Sequence, residues 1–166
     1  LEVEGAFCSI FLMHSGGGVI SLDSASDFPV RLIESGPAGG AIFAADIAER
    51  HSLNKVLSFD MGGTTAKICL IKDRTPKTAR VFEVARTYRF KKGSGMPISI
   101  PVIDMVEIGA GGGSLASIDL LNQIRVGPES SGSEPGPACY NYGGINPAVT
   151  DADLVLGRLD SKNFAG

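Results

Sequence analysis

The densest chemistry in the chain lies in six consecutive residues, Asp60-Met61-Gly62-Gly63-Thr64-Thr65. Two adjacent glycines let backbone N–H groups approach a phosphate closely, because no Cβ intervenes and unusual dihedrals are cheap. The hydroxyls of Thr64 and Thr65 add donors for phosphate oxygens. Asp60 ends an apolar run and has the chemistry to hold Mg2+ through water, since magnesium dehydrates reluctantly. Lys67 falls two residues beyond Thr65, on the same face of an extended strand, where it would reach a phosphate or solvent. Together these residues would clamp the phosphates of ATP. A tight hairpin with an ordinary exposed aspartate is the alternative, and the motif alone leaves both open.

Two further glycine-rich stretches follow strand-like segments. Ser35-Gly36-Pro37-Ala38-Gly39-Gly40 reads as a turn opening a helix, with Pro37 suited to the first helical turn, where free N–H groups and the helix dipole suit an anion, or where small residues simply pack closely. Residues 109–114 (GAGGGS) carry Gly111, Gly112 and Gly113, a place for a ligand to approach backbone or a flexible turn. Glu107, in an apolar strand just before that loop, reads as a buried carboxylate in need of a partner, with Arg125 and Arg158 available. Asp151 and Asp153 have the chemistry to bind metal or substrate, although helix capping also accounts for them. His14, before three glycines, is a general base or a structural residue, and His51 caps a helix end.

The elements needed to position these residues are legible in outline. Residues 55–59 (KVLSF) and 66–71 (AKICLI) are strand-like on either side of the Gly-Gly turn and predict a hairpin. Strands are also expected over 8–13, 19–22, 80–90 and 115–118. Residues 29–33 should be extended, and 97–108 should be extended with a break near Pro101. Alanine-rich residues 41–51 predict a helix, with Phe43 and Ile47 on one face and Asp46, Glu49 and Arg50 on another. Residues 127–147 hold five glycines and four prolines and predict an irregular loop. Thr150 is the expected N-cap of a helix over 151–159, with Val155 and Leu159 on its apolar face.

Composition narrows the function classes. Of 166 residues 22 are glycine, against a usual share of roughly 7%, yet 43% are hydrophobic and 20% charged, enough to build a core. No apolar run reaches the roughly 18–20 residues of a membrane span. A net charge of -3 gives no general attraction to nucleic acid or anionic membrane. Three dispersed cysteines, Cys8, Cys69 and Cys139, argue against a disulfide scaffold or zinc site and for a reducing, cytoplasmic setting, with Cys8 and Cys69 acting as small hydrophobes. The first residues show no signal-peptide pattern. There is no GxxxxGK[ST], no GxSxG and no HExxH, and no GxGxxG stands where a dinucleotide fold would need it.

Five segments occur in register: ESGPAGG (34–40), FDMGGTTAK (59–67), IGAGGGS (108–114), RVGPESSGSEPGPACY (125–140) and VTDADLVLGRL (149–159). Together they resemble the hydantoinase A / 5-oxoprolinase family over nearly the whole chain. The resemblance implies an α/β fold: an actin-like ATPase lobe with a ribonuclease-H-like core, a mixed β-sheet with flanking helices. It further implies that residues 1–166 are a central fragment of a larger catalytic domain, lacking an N-terminal lobe and a C-terminal region. A two-lobed cleft of that kind would leave the fragment inactive alone.

The implied activity is ATP-dependent hydrolysis of a cyclic amide such as 5-oxoproline, hydantoin or N-methylhydantoin through a phosphorylated intermediate, with Mg2+. A second, hydantoinase B-type subunit or fused domain is the expected partner. By the same resemblance Gly62, Gly63, Thr64 and Thr65 form a phosphate loop, Gly111, Gly112 and Gly113 lie near the nucleotide, Asp60 and Asp151 serve as metal ligands, and Asp60, Glu107 and Asp151 as catalytic groups. Acetone and acetophenone carboxylase subunits are cousins, and a non-catalytic nucleotide-binding module is the non-enzymatic alternative. Family members often carry Asp where this chain has Lys67 and His where it has Val106, which implies a substrate other than 5-oxoproline if those positions touch it.

Overall fold

The computed structural model describes residues 3, 5, 7–85 and 93–163. In chain order come β1 (Phe11–Met13), β2 (Val19–Ser21), α1 (Leu22–Asp27), a 3-10 turn (Pro29–Leu32) and α2 (Ser35–Arg50). The hairpin strands β3 (Lys55–Met61) and β4 (Ala66–Lys72) follow, then β5 (Thr75–Pro76), β6 (Thr78–Ala79), β7 (Phe82–Val84), β8 (Met96–Ile98), β9 (Val102–Ile103) and β10 (Met105–Ile108). The remainder is β11 (Ser114–Ile118), β12 (Ile124–Ser130), a 3-10 turn (Ala138–Tyr140) and α3 (Val149–Val155).

The chain is α/β. Its strands form a four-stranded sheet, β10-β4-β3 with β5 on β4, and two-stranded ribbons β1-β2, β6-β9, β7-β8 and β11-β12. The ribbons and the β4-β5 pair are antiparallel. Its contacts divide into two compact units: the chain up to Ser58 with Ile68–Val106, and Phe59–Lys67 with the chain from Glu107 onward.

In the first unit the core gathers Ala38, Ala41 and Ala45 of α2 with Cys69 and Ile71 of β4 and Ile103 of β9. Alanines at this spacing give α2 a smooth stripe, so the helix lies close to the strands without large side chains between. That reverses the expected apolar face: Phe43 and Ile47 point outward. The helix also begins earlier than expected. Residues 35–40 are its first turns rather than a loop, and Pro37 sits, as expected, where the first-turn N–H groups have no intrahelical partner anyway.

The loop after β1 is rigidly tied. Ser15 is buried, its hydroxyl donates to the Pro101 carbonyl (3.0 Å), and its N–H donates to that of Arg31 (2.8 Å). The Gly16 N–H donates to Nδ1 of His14 (3.0 Å), so this histidine is a local structural acceptor. His51 is the C-cap residue of α2.

Other expectations shift. Residues 29–32 are a 3-10 turn rather than extended chain. Cys69 is buried, but Cys8 is exposed and lies ahead of a β1 only three residues long. The strand expected over 80–90 is the short β7, and residues 86–90 lie outside the described residues. Extended chain over 97–108 is present as β8, β9 and β10, broken at Pro101.

In the second unit β11 and β12 pair from Ile118↔Ile124 to Ser114↔Ser130, with a register shift between Ser114 and Ala116. β12 therefore runs into the segment expected to be irregular. Pro128 is accommodated where the pairing is irregular, the position in a sheet that tolerates a missing N–H. α3 starts and stops early: its N-cap is Ala148, Thr150 is inside its first turn, and Val155 is its last residue and exposed.

Candidate functional site

Every residue of the candidate site belongs to the second unit. The turn between β3 and β4 is closed by the Gly62 N–H donating to the Thr65 carbonyl (2.9 Å). Asp60 is exposed near the end of β3. Its carboxylate, the Gly63 and Thr64 N–H groups and the Thr64 and Thr65 hydroxyls have no partner among the described residues. A Cβ built on Gly63 would meet nothing within 4 Å. The turn thus presents N–H and O–H donors and one carboxylate to open space. That set fits a phosphate with a hydrated divalent cation.

The loop with Gly111, Gly112 and Gly113 plays a different part. The Gly112 N–H donates to the Gly62 carbonyl (2.9 Å) and the Gly113 N–H to the Gly63 carbonyl (2.7 Å). The Gly111 N–H donates to Oγ of the buried Ser114 (3.0 Å). All three N–H groups are therefore engaged within the chain. A Cβ on Gly111 would fall 2.5 Å from the backbone carbon and oxygen of Gly63, so glycine is required for two backbones to touch. This loop is the rear support of the turn.

The support is itself anchored. The Gly113 carbonyl accepts from the Ser131 N–H (2.8 Å) and Oγ (3.2 Å). The Gly112 carbonyl accepts from the Thr150 N–H (2.8 Å) and Oγ1 (2.8 Å). Thr150 is thus a buried brace rather than the expected N-cap. The sequence does not mark Ser114, Ser131 and Thr150 as site residues, because a serine or threonine reads the same whether it braces a loop or faces water.

Asp151 closes the arrangement from the far side. Its carboxylate accepts from the N–H groups of Ala148 (2.7 Å), Cys139 (2.7 Å) and Ala138 (3.3 Å), fastening the 3-10 turn to the start of α3. Burial pushes its pKa up, but the Cys139 thiol and the three N–H groups outweigh that and hold it below the usual carboxylate value. Cys139 shows the converse: burial first, then the hydrogen bond and charge of Asp151, push its thiol up to about 11. Among the described residues no three His, Cys, Asp or Glu side chains gather into a metal-holding cluster around Asp60 or Asp151.

Glu107 is exposed rather than buried, and its partner is neither expected arginine. Lys67 Nζ lies 3.2 Å from Glu107 Oε1, with the lysine side chain 15% and the glutamate 53% exposed. The neighbouring strands β4 and β10 bring the two together. Arg125 pairs instead with Asp119 (2.7 Å) and Arg158 with Asp153 (3.1 Å).

A hydantoinase/oxoprolinase family model matches residues 1–166. The chain belongs to the hydantoinase/oxoprolinase family. It is 37% identical over 153 residues to the caprolactamase alpha subunit of Pseudomonas jessenii, covering 92% of this chain and 21% of that protein. It is 36% identical over 168 residues to the 5-oxoprolinase of Dictyostelium discoideum, covering 93% of this chain and 12% of that protein.

Among solved structures, a nucleotide-free ATP-dependent acetone carboxylase matches with a TM-score of 0.73 at 28% identity, over 98% of this chain and 22% of that one. The ATP-dependent caprolactamase of Pseudomonas jessenii matches with a TM-score of 0.61 at 33% identity, over 96% and 22%. The chain thus spans between 12% and 22% of the length of these relatives. No helix among the described residues is long and apolar enough to cross a membrane.

Proposed function

We propose that the full protein of which this chain forms part is an ATP-dependent enzyme that opens a cyclic amide, with the Asp60–Thr65 turn as its phosphate-binding element. The observation that carries this reading is the division of labour at the turn: outward donors without partners among the described residues, and a rear face fixed by Gly112 and Gly113. Donors held in place before the ligand arrives need no reorganisation as charge develops. ATP, when bound, supplies the phosphoryl group that activates the amide carbonyl toward water. Gly63 and Thr64 would donate to its phosphate oxygens through backbone N–H, and the Thr64 and Thr65 hydroxyls would add further donors. Asp60 would hold the hydrated Mg2+.

Asp151, with its carboxylate oxygens on backbone N–H groups, takes a supporting place in this reading. Lys67, aligned by Glu107, is the cation closest in sequence to the turn and a candidate for substrate contact. An actin-like lobe with a second lobe supplied elsewhere in the full protein belongs to the same proposal, as does a partner subunit, consistent with relatives named as subunits. A second reading, ATP-driven carboxylation, is favoured by one observation: the acetone carboxylase gives the higher TM-score of the two solved structures, 0.73 against 0.61.

ADP release by the full-length protein with its partner subunit separates the two. The assay would compare 5-oxoproline, hydantoin, N-methylhydantoin and caprolactam with acetone or acetophenone plus bicarbonate. Release in step with ring opening supports the amidohydrolase. Release only with ketone and bicarbonate supports the carboxylase, and release with neither removes both.

A further inference from the structure

We propose that Thr150 is a positioning residue for nucleotide binding, acting through the Gly112 carbonyl on the Asp60–Thr65 turn, and that Asp151 locks it in place. The proposal rests on the reading of that turn as the phosphate-binding element. Three hydrogen-bonded links make the connection, all within the second unit. Asp151 ties the first turn of α3 to residues 138 and 139, which fixes where α3 begins. Thr150, one residue earlier, sends both its N–H and its hydroxyl to the same carbonyl, that of Gly112. Gly112 and Gly113 then donate to the carbonyls of Gly62 and Gly63.

The peptide units that end in the Gly62 and Gly63 carbonyls carry the N–H groups of Gly63 and Thr64. Each of these two planar units is therefore held at its oxygen by the support loop and presents its N–H outward. The orientation of the free donors is thus set by bonds made on the opposite side of the same peptide planes. Loosening Gly112 lets those planes rotate and misaligns the donors, with no contact to the ligand removed. Thr150 is suited to this task because it is buried and because a Cβ at Gly112 would meet its Oγ1 at 2.6 Å, so the brace sits flush against the loop.

The test is titration of the full-length protein with the nonhydrolysable analogue adenylyl imidodiphosphate and Mg2+, read by calorimetry. Thr150→Val keeps the shape and the N–H but removes the hydroxyl; Thr150→Ser keeps the hydroxyl. The expected result is a dissociation constant raised about 10-fold in Thr150→Val, the equivalent of about 1.4 kcal/mol, and within about twofold of the parent in Thr150→Ser. Thr64→Ala, at the turn itself, should also weaken binding.

If Thr64→Ala weakens binding while a folded Thr150→Val binds as the parent does, the positioning role is wrong and the phosphate turn stands. If Thr64→Ala binds normally, the turn is not the nucleotide element and both fall. Hydrogen exchange in the unmutated protein covers the case in which Thr150→Val does not fold. The analogue should slow exchange at Gly112 and Gly113 together with Gly63 and Thr64. Protection confined to Gly63 and Thr64 would overturn the proposal.

Discussion

Gly111 and Gly63 meet backbone to backbone, and the structure predicts opposite outcomes for the same substitution at the two positions. In Gly111→Ala the new Cβ would lie 2.5 Å from the carbon and oxygen of Gly63 and 2.6 Å from the Thr64 nitrogen. An ordinary contact begins near 3.4 Å, so one backbone must retreat by about 1 Å. The bonds from Gly112 to Gly62 (2.9 Å) and from Gly113 to Gly63 (2.7 Å) bridge the same gap and cannot both survive that shift. Losing one or both at roughly 0.5–1.5 kcal/mol each gives about 0.5–3 kcal/mol of local destabilisation.

Gly63→Ala, by contrast, points its Cβ into open space. It should leave stability unchanged within about 0.5 kcal/mol, as is usual for a surface substitution away from specific contacts. It places a methyl group where the phosphate is proposed to bind. Hydrogen exchange of the full-length protein reads both effects locally. In Gly111→Ala the Gly112 and Gly113 amides should exchange about 2- to 150-fold faster, from about 1.4 kcal/mol per decade. In Gly63→Ala they should not change, while affinity for the ATP analogue falls. Equal disruption by the two substitutions, or unchanged exchange in Gly111→Ala, would refute the picture of one loop supporting the other.

Three further outcomes follow from the same geometry. Asp60→Ala and Thr64→Ala, both at exposed positions without side-chain partners among the described residues, should leave the melting temperature of the full-length protein within about 1 °C while lowering ATP turnover about 10-fold or more. Unchanged turnover in both would take the turn out of the chemistry. With its thiol pushed from 9.0 up to about 11, Cys139 should be alkylated about 100-fold more slowly than an ordinary cysteine at pH 8, and Asp151→Asn should recover part of that loss, because burial remains; peptide mass spectrometry after a timed iodoacetamide pulse gives the rates. Asp151 titrates below its ordinary value, so the stability it contributes is complete above about pH 4 and lost as pH falls through its lowered folded value. Exchange at the Cys139 and Ala148 amides should therefore accelerate, beyond its intrinsic pH dependence, only below pH 4, and acceleration at pH 5–6 would show the clasp to depend on some other group.

The legible parts of the fold are those whose local pattern and tertiary role agree. Two apolar runs around Gly62-Gly63 can hardly be anything but a hairpin, and β3 and β4 lie as expected, each one or two residues longer. The helix at 41–51 is legible and Pro37 points to its first turn, but the glycines around Pro37 read as a loop. Gly36, Gly39 and Gly40 each cost a helix roughly 1 kcal/mol relative to alanine, and propensity places them outside it. The burial of Ala38 and Ala41 against Cys69, Ile71 and Ile103 decides otherwise. β12 was hidden for a similar reason: Gly127 and Pro128 argue against a strand wherever the pairing is regular, and here it is not.

At the site, residue types were legible and partnerships were not. A glycine-rich loop says that something must come within a Cβ of the backbone; it does not say whether that is a ligand or another loop. Residues 60–65 and 109–114 carry the same signal, yet the first faces open space and the second faces the first. Only the pairing of Gly111 with Gly63 tells them apart. Glu107 is the same case in charge. An acid in an apolar strand predicts a partner, and the partner is Lys67, 40 residues away, because β10 lies beside β4. A pattern along one strand cannot reveal that neighbour. Asp151 completes the set: the same aspartate that would suit a metal is bound by three N–H groups from two segments, and which of the two it serves depends on chain that folds back from 10 or more residues away.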